Sequence, residues 1–82
     1  MLNKSIMTTI QINKVGVLVN GDYKDWYIKI IGSDSGDFLI YTSNRFDFKG
    51  EVHDDWVRDE NDLYKYFRET GWEISWGDDS AK

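Results

Sequence analysis

A chain of 82 residues has room for one domain, and at that size only about 60–65% of the unfolded surface can be buried. It contains no cysteine, which excludes disulfides and thiolate metal sites and gives no sign of an oxidising compartment. Fifteen acids against ten bases speak against a nucleic-acid binder, which needs a basic stripe. Aromatic bulk takes the place of staples: four Trp, five Tyr and four Phe can each bury roughly 150–250 Å².

The first seven residues are too short and too polar for the apolar region of a signal peptide, and Met7 is an alternative start. A single domain over 1–82 is expected, with 1–6 and 77–82 as flexible tails. The apolar runs are strand-sized, so no membrane span and a cytoplasmic location are expected.

Thr8-Thr9-Ile10-Gln11-Ile12-Asn13 alternates apolar and polar residues, as a half-buried strand does, and Val15-Gly16-Val17-Leu18-Val19 continues it. Gly16 marks a bulge or bend in that run. Asn20-Gly21-Asp22 is the strongest turn signal, because Asn and Gly tolerate positive φ. Trp26 to Ile31 forms the next strand, Gly32 to Asp37 a second turn, and Phe38 to Ser43 a further strand.

Between residues 44 and 58, Phe46, Phe48, Val52 and Trp56 share one parity while Asp47, Lys49, Glu51, His53 and Asp55 share the other. That predicts a strand with an apolar inner face and a polar outer one, although Lys49-Gly50 also suits a turn. Asp59 then caps a helix with Glu60 and Asp62 in its first turn and Gly71 at its end. Leu63, Tyr66, Phe67 and Thr70 follow helical spacing and face the sheet. Tyr64 lies off that stripe and faces solvent. Trp72 to Trp76 alternates once more as a last strand. The order β-β-β-(β)-α-β predicts an α+β fold: an antiparallel sheet of four or five strands with one helix, about 60–70, on one face.

A catalytic set is not visible. His53 is the single histidine, and its neighbour Asp54 points to the opposite face of a strand, so the two do not converge. Asp34-Ser35-Gly36-Asp37 lacks the further ligands of a calcium loop and is a hairpin turn. Arg58-Asp59-Glu60-Asn61 would repel a phosphate at the helix start. No catalytic residue, metal or cofactor is therefore expected.

Charge is the informative feature. The segment from Asp47 to Asp62 holds seven acids and two bases, and the rest of the chain balances at eight and eight. Asp59, Glu60 and Asp62 suit a helix N-terminus. Asp47, Glu51, Asp54 and Asp55 repel one another without a structural reason, and such a concentration steers a basic partner. The expected partner-binding surface comprises Asp47, Glu51, His53, Asp54, Asp55, Trp56, Asp59, Glu60 and Tyr64, the aromatics serving as anchors.

In sequence order, Asn20-Gly21-Asp22 leads to the aromatic strand Trp26-Tyr27-Ile28, then to Gly36-Asp37-Phe38, then to a closing helix followed by Trp72 and Trp76. Over about residues 20–76 this compact, acidic, Trp- and Tyr-rich chain resembles the bacterial immunity proteins. These are antitoxins encoded beside secreted polymorphic toxins, such as the contact-dependent inhibition and Maf systems. The resemblance implies a tight cytoplasmic complex with a cognate toxin, a basic nuclease by expectation, with the chain otherwise monomeric or a weak homodimer. The alternatives are a phage- or plasmid-encoded inhibitor that mimics nucleic acid, and a small regulatory subunit of a cellular enzyme.

Overall fold

Short polar turns between β-rich runs leave consecutive strands no choice but to pair antiparallel. The computed structural model, which describes residues 10–77, contains β1 (Val15–Leu18), β2 (Tyr27–Gly32), β3 (Phe38–Ser43), β4 (Val52–Val57), α1 (Glu60–Thr70) and β5 (Ile74–Ser75). They form one sheet in the order β4-β3-β2-β1-β5, with every neighbouring pair antiparallel. The α+β architecture expected from the sequence is thus present, with five strands and one helix among the described residues.

The helix explains the jump in strand order. β4 ends at one edge and β5 lies at the other, and both run opposite to β1. An 11-residue helix is about 16 Å long. Four strand spacings are about 19 Å, so α1 reaches across most of the sheet. Its start is fixed by the Asp59 carboxylate, which accepts the Asp62 N–H at 2.9 Å. Its end is fixed by Gly71 at φ 71°, whose N–H donates to the Phe67 carbonyl at 3.0 Å.

Beneath the helix lies the core. Leu18, Ile28, Ile30, Ile40 and Val57 from the strands pack with Leu63 and Phe67 of α1 and with Trp76. Ile10, Trp26, Phe38, Tyr66, Trp72 and Ile74 close its margin. Of the expected helix stripe, Leu63 and Phe67 are buried and Tyr66 is half-buried, while Thr70 is exposed at the last turn.

Three strand expectations need correction. Residues 10–13 are not a strand: Ile12-Asn13 forms a turn with Asn13 at φ 62°, its N–H donating to the Ile30 carbonyl at 2.7 Å. Both sides of β1 are already occupied by β2 and β5, so the chain turns before β1 instead of extending it. Thr8 and Thr9 lie outside the described residues, as do the tail expected at 1–6 and all of the one expected at 77–82 except Gly77. Gly16 is no bulge, because it pairs in register with Ile28. It is instead a site of close approach, where a Cβ would stand 2.6 Å from Ile74 Cγ2 and 2.8 Å from Trp76 Cε3. The expected last strand shrinks to Ile74–Ser75, flanked by Trp72 and Trp76 packed at the core.

The loop from Leu18 to Tyr27 is longer than a tight hairpin. Two successive turns close it, with Lys24 N–H donating to Gly21 O at 3.2 Å and Trp26 N–H to Tyr23 O at 2.9 Å. This loop delivers Tyr23 and Trp26 to the helix side of the sheet, where both meet His53.

Candidate functional site: the β4 edge

The stretch from 44 to 58 divides into a structured loop and an edge strand. In the loop, the Arg45 guanidinium donates from Nε and Nη2 to the two oxygens of Asp47, at 3.0 and 2.8 Å. That bidentate pair holds the Asp47 carboxyl at about 2, well below the ordinary carboxylate range. Asn44 Oδ1 accepts the Glu51 N–H at 3.0 Å and closes the loop at its base. Asp47 is thereby committed to the loop, and its charge is matched by Arg45.

β4 itself is exposed at every position except Val57. Its register sets Val57 opposite Phe38, Asp55 opposite Ile40 and His53 opposite Thr42. Residues directly opposite point the same way, so His53, Asp55 and Val57 share the helix side with the core. Val52, Asp54 and Trp56, opposite Ser43, Tyr41 and Leu39, point to the other face. The expected polarity of this strand is therefore reversed: the side bearing Val52 and Trp56 is open, and the His53–Asp55 side faces the helix. The deciding contact is Val57, the one β4 residue buried in the core beneath α1.

The polar residues on the helix side are met by aromatic ones. The Tyr66 hydroxyl donates to Asp55 Oδ2 at 2.7 Å. Burial, reinforced by that carboxylate, raises the Tyr66 hydroxyl far above its ordinary value. The His53 ring stacks on Trp26 with centroids 5.6 Å apart and a 19° tilt, and its Nε2 lies 3.1 Å from Glu51 Oε2. Tyr23 meets Trp26, His53 and Trp72 edge-on, and Trp72 meets Tyr66, so aromatic rings line this margin from β4 to the helix end. On the open side the Trp56 indole N–H donates to Asp37 Oδ2 at 2.6 Å.

The helix start absorbs the remaining acids. Arg58 lies 3.8 Å from Asp59 and 3.3 Å from Asp62, and Glu60 accepts the Tyr64 hydroxyl at 3.2 Å. Tyr64 is 46% exposed, as its position off the stripe predicts. Of the nine expected partner-binding residues, His53, Asp54, Asp55 and Trp56 follow one another along β4, and Glu51 lies in the loop just before it. Asp47 is tied into the preceding loop, Asp59 caps α1, Glu60 opens it, and Tyr64 pairs with Glu60 from one turn on.

Residues not anticipated complete the site. A groove of about 280 Å³ runs along the edge between Trp56–Arg58 and the helix, walled by Asp62, Lys65, Tyr66 and Glu69. Lys65 and Glu69 follow Asp62 at helical spacing, which would have signalled a common flank of α1. Asp37 lay in an apparent hairpin turn, and nothing local tied it to Trp56.

The geometry offers hydrogen-bonding edge, charge and apolar anchor, the elements of a protein-recognition surface. Among the described residues no group of three or more His, Cys, Asp or Glu is placed to hold a metal ion. No helix there is long and apolar enough to cross a membrane. No protein-family model, curated protein or solved structure matches the chain.

Proposed function

We propose that this protein is a non-catalytic binding module, an immunity protein that neutralises a cognate secreted toxin in the cytoplasm through the β4 edge. One observation carries this reading: a six-residue edge strand, exposed along five residues, bears acids on both of its sides. Asp54 and Asp55 point to opposite faces and cannot form one flat patch. A partner strand laid alongside β4 meets both of them at once. Main-chain hydrogen bonds to the edge then supply affinity, and side chains on either side supply specificity.

The partner this arrangement suits is a basic surface, such as the substrate groove of a nuclease, with Lys or Arg flanking an extended segment. Glu51, Asp54 and Asp55 steer its approach and can raise association toward about 10⁸ M⁻¹s⁻¹ at low salt. Trp56, at 58% exposure, and the adjoining groove accept an anchoring side chain.

The test is capture of the toxin encoded beside this gene, together with rescue of cells expressing that toxin. Reversing Asp54 and Asp55 singly should slow association by similar factors, because an edge-on partner meets both. A large effect at one position alone would indicate a face-on partner. If the toxin is neither captured nor neutralised, the immunity reading fails and the acids remain as protection of a bare sheet edge.

A further inference from the structure

The face of the sheet opposite the helix carries a pattern that partner binding at the β4 edge uses only in part, through Asp54 and Trp56. By register, three rows cross β2, β3 and β4 on that side: Tyr27–Ser43–Val52, Lys29–Tyr41–Asp54 and Ile31–Leu39–Trp56. None of these residues belongs to the core cluster beneath α1 or to the residues packed against it. Phe46 joins this face through an edge contact with Tyr27 at 5.6 Å, and Phe46, Trp56 and Val52 are 66, 58 and 41% exposed. Within these rows Ser43 is buried and Tyr27, Lys29, Ile31, Leu39 and Tyr41 are half-buried, so the exposed apolar groups lie toward β4.

The middle row carries opposite charges at its ends, two strand spacings or about 10 Å apart. Tyr41 stands between them. Neither the Lys29 nor the Asp54 side chain has an ion-pair or hydrogen-bond partner among the described residues. Set between two rows that carry no charge, each charge lacks an opposite, and the row as a whole is its own complement.

We propose that a second copy of this chain covers this face, the two sheets stacking about a twofold axis that runs along β3. Such an axis exchanges left and right across each row and keeps the rows in line. Lys29 of one copy then meets Asp54 of the other, twice by symmetry, and Tyr41 lies on Tyr41. In the flanking rows Ile31 meets Trp56 and Tyr27 meets Val52, apolar on apolar. Strand directions stay aligned, as in a β-sandwich with sheets about 10 Å apart. An axis perpendicular to the strands would set Lys29 on Lys29 and Asp54 on Asp54, so charge selects the first arrangement. The footprint is roughly 15 by 20 Å, or about 300 Å² on each copy, well below a standard interface, so the self-association is weak and transient. The helices face outward in this dimer.

The experiment is sedimentation equilibrium on the full chain, without any partner protein, so its outcome is independent of the immunity reading. Wild type should pass from monomer to dimer as concentration rises. K29E and D54K should each weaken the dimer by about tenfold or more, since each sets like charges opposite one another twice. The double variant K29E/D54K restores both pairs and should return the dissociation constant to within about threefold of wild type. Circular dichroism establishes that each variant is folded. A wild-type chain that stays monomeric at several hundred micromolar overturns the proposal whatever the variants do. So does a folded double variant that associates no better than the singles.

Discussion

At one edge of the sheet β5 contributes only Ile74 and Ser75, whereas at the other β4 contributes six residues. The short edge is held by burial: Trp76 is 7% exposed, and Gly16 on β1 leaves the space that Ile74 and Trp76 fill. The long edge makes almost no core contact beyond Val57, and charged side chains surround it. An edge two residues long presents little for another chain to pair with. An edge six residues long does present a template, and acids on both sides restrict which chains can use it. One edge is held by the core, and the other is left exposed.

The largest expected effect comes from exchanging the fates of the two edge tryptophans. Trp76→Ala removes a buried aromatic from the core and should cost about 3–5 kcal/mol, read as a lower midpoint in urea unfolding. Trp56→Ala removes an exposed ring and one hydrogen bond to Asp37, and should cost less than about 1 kcal/mol. The same ring should matter much more to association than to folding. Equal losses of stability in the two variants would erase the distinction between the edges.

A middle-sized effect is expected at Asn20, which ties the short edge to the helix end. Its amide nitrogen donates to the Gly71 carbonyl at 2.9 Å, and its Oδ1 accepts the Glu73 N–H at 2.8 Å. These bonds satisfy a terminal helix carbonyl and fix the chain as it enters β5. Asn20→Ala should destabilise the protein by about 1–2 kcal/mol, and Asn20→Asp by less, since it keeps the acceptor. Amide exchange should quicken first at Glu73 and along β5, with β4 unaffected.

Asn20 also shows why the sequence revealed some parts of this molecule and not others. The Asn20-Gly21 pair announces a turn by local backbone preference, and a turn is there. The bridge from Asn20 to residues 71 and 73 depends on tertiary placement and leaves no local mark. The helix was legible to the residue, because a carboxylate cap at Asp59, a glycine at 71 and a 3.6-residue apolar stripe are all local signals. β3 was legible for a similar reason, lying between two turn-forming segments. The orientation of β4 was not. Alternation shows that a strand has two faces but not which of them the helix will cover, and Val57, two residues past Asp55, decides that. The acidic segment was therefore legible as a run of charge, but the way the fold divides it was not. Its charges lie along an edge and are divided between two faces, and three of its expected members sit at the helix start.

The smallest effect distinguishes charges that hold the long edge in place from charges left free beside it. Asp47 lies in the loop leading into β4, and its bond with Arg45 lowers its carboxyl to about 2. A depressed carboxyl contributes stability that is present above its unfolded value, near 3.9, and is lost as pH falls through the folded one. Loop residues 44–51 should therefore stay ordered at pH 5 and loosen progressively as pH falls from about 4 to about 2. Nitrogen–proton shifts of Lys49, whose N–H donates to Asp47 Oδ1 at 3.1 Å, provide a direct probe. In Asp47→Asn the transition should vanish from Lys49. Because both partners are exposed at the surface, salt should weaken the effect, and the global melting temperature should hardly register it. An unchanged Lys49 transition in Asp47→Asn would mean that another group orders the loop, and that the entrance to β4 is no more anchored than the strand.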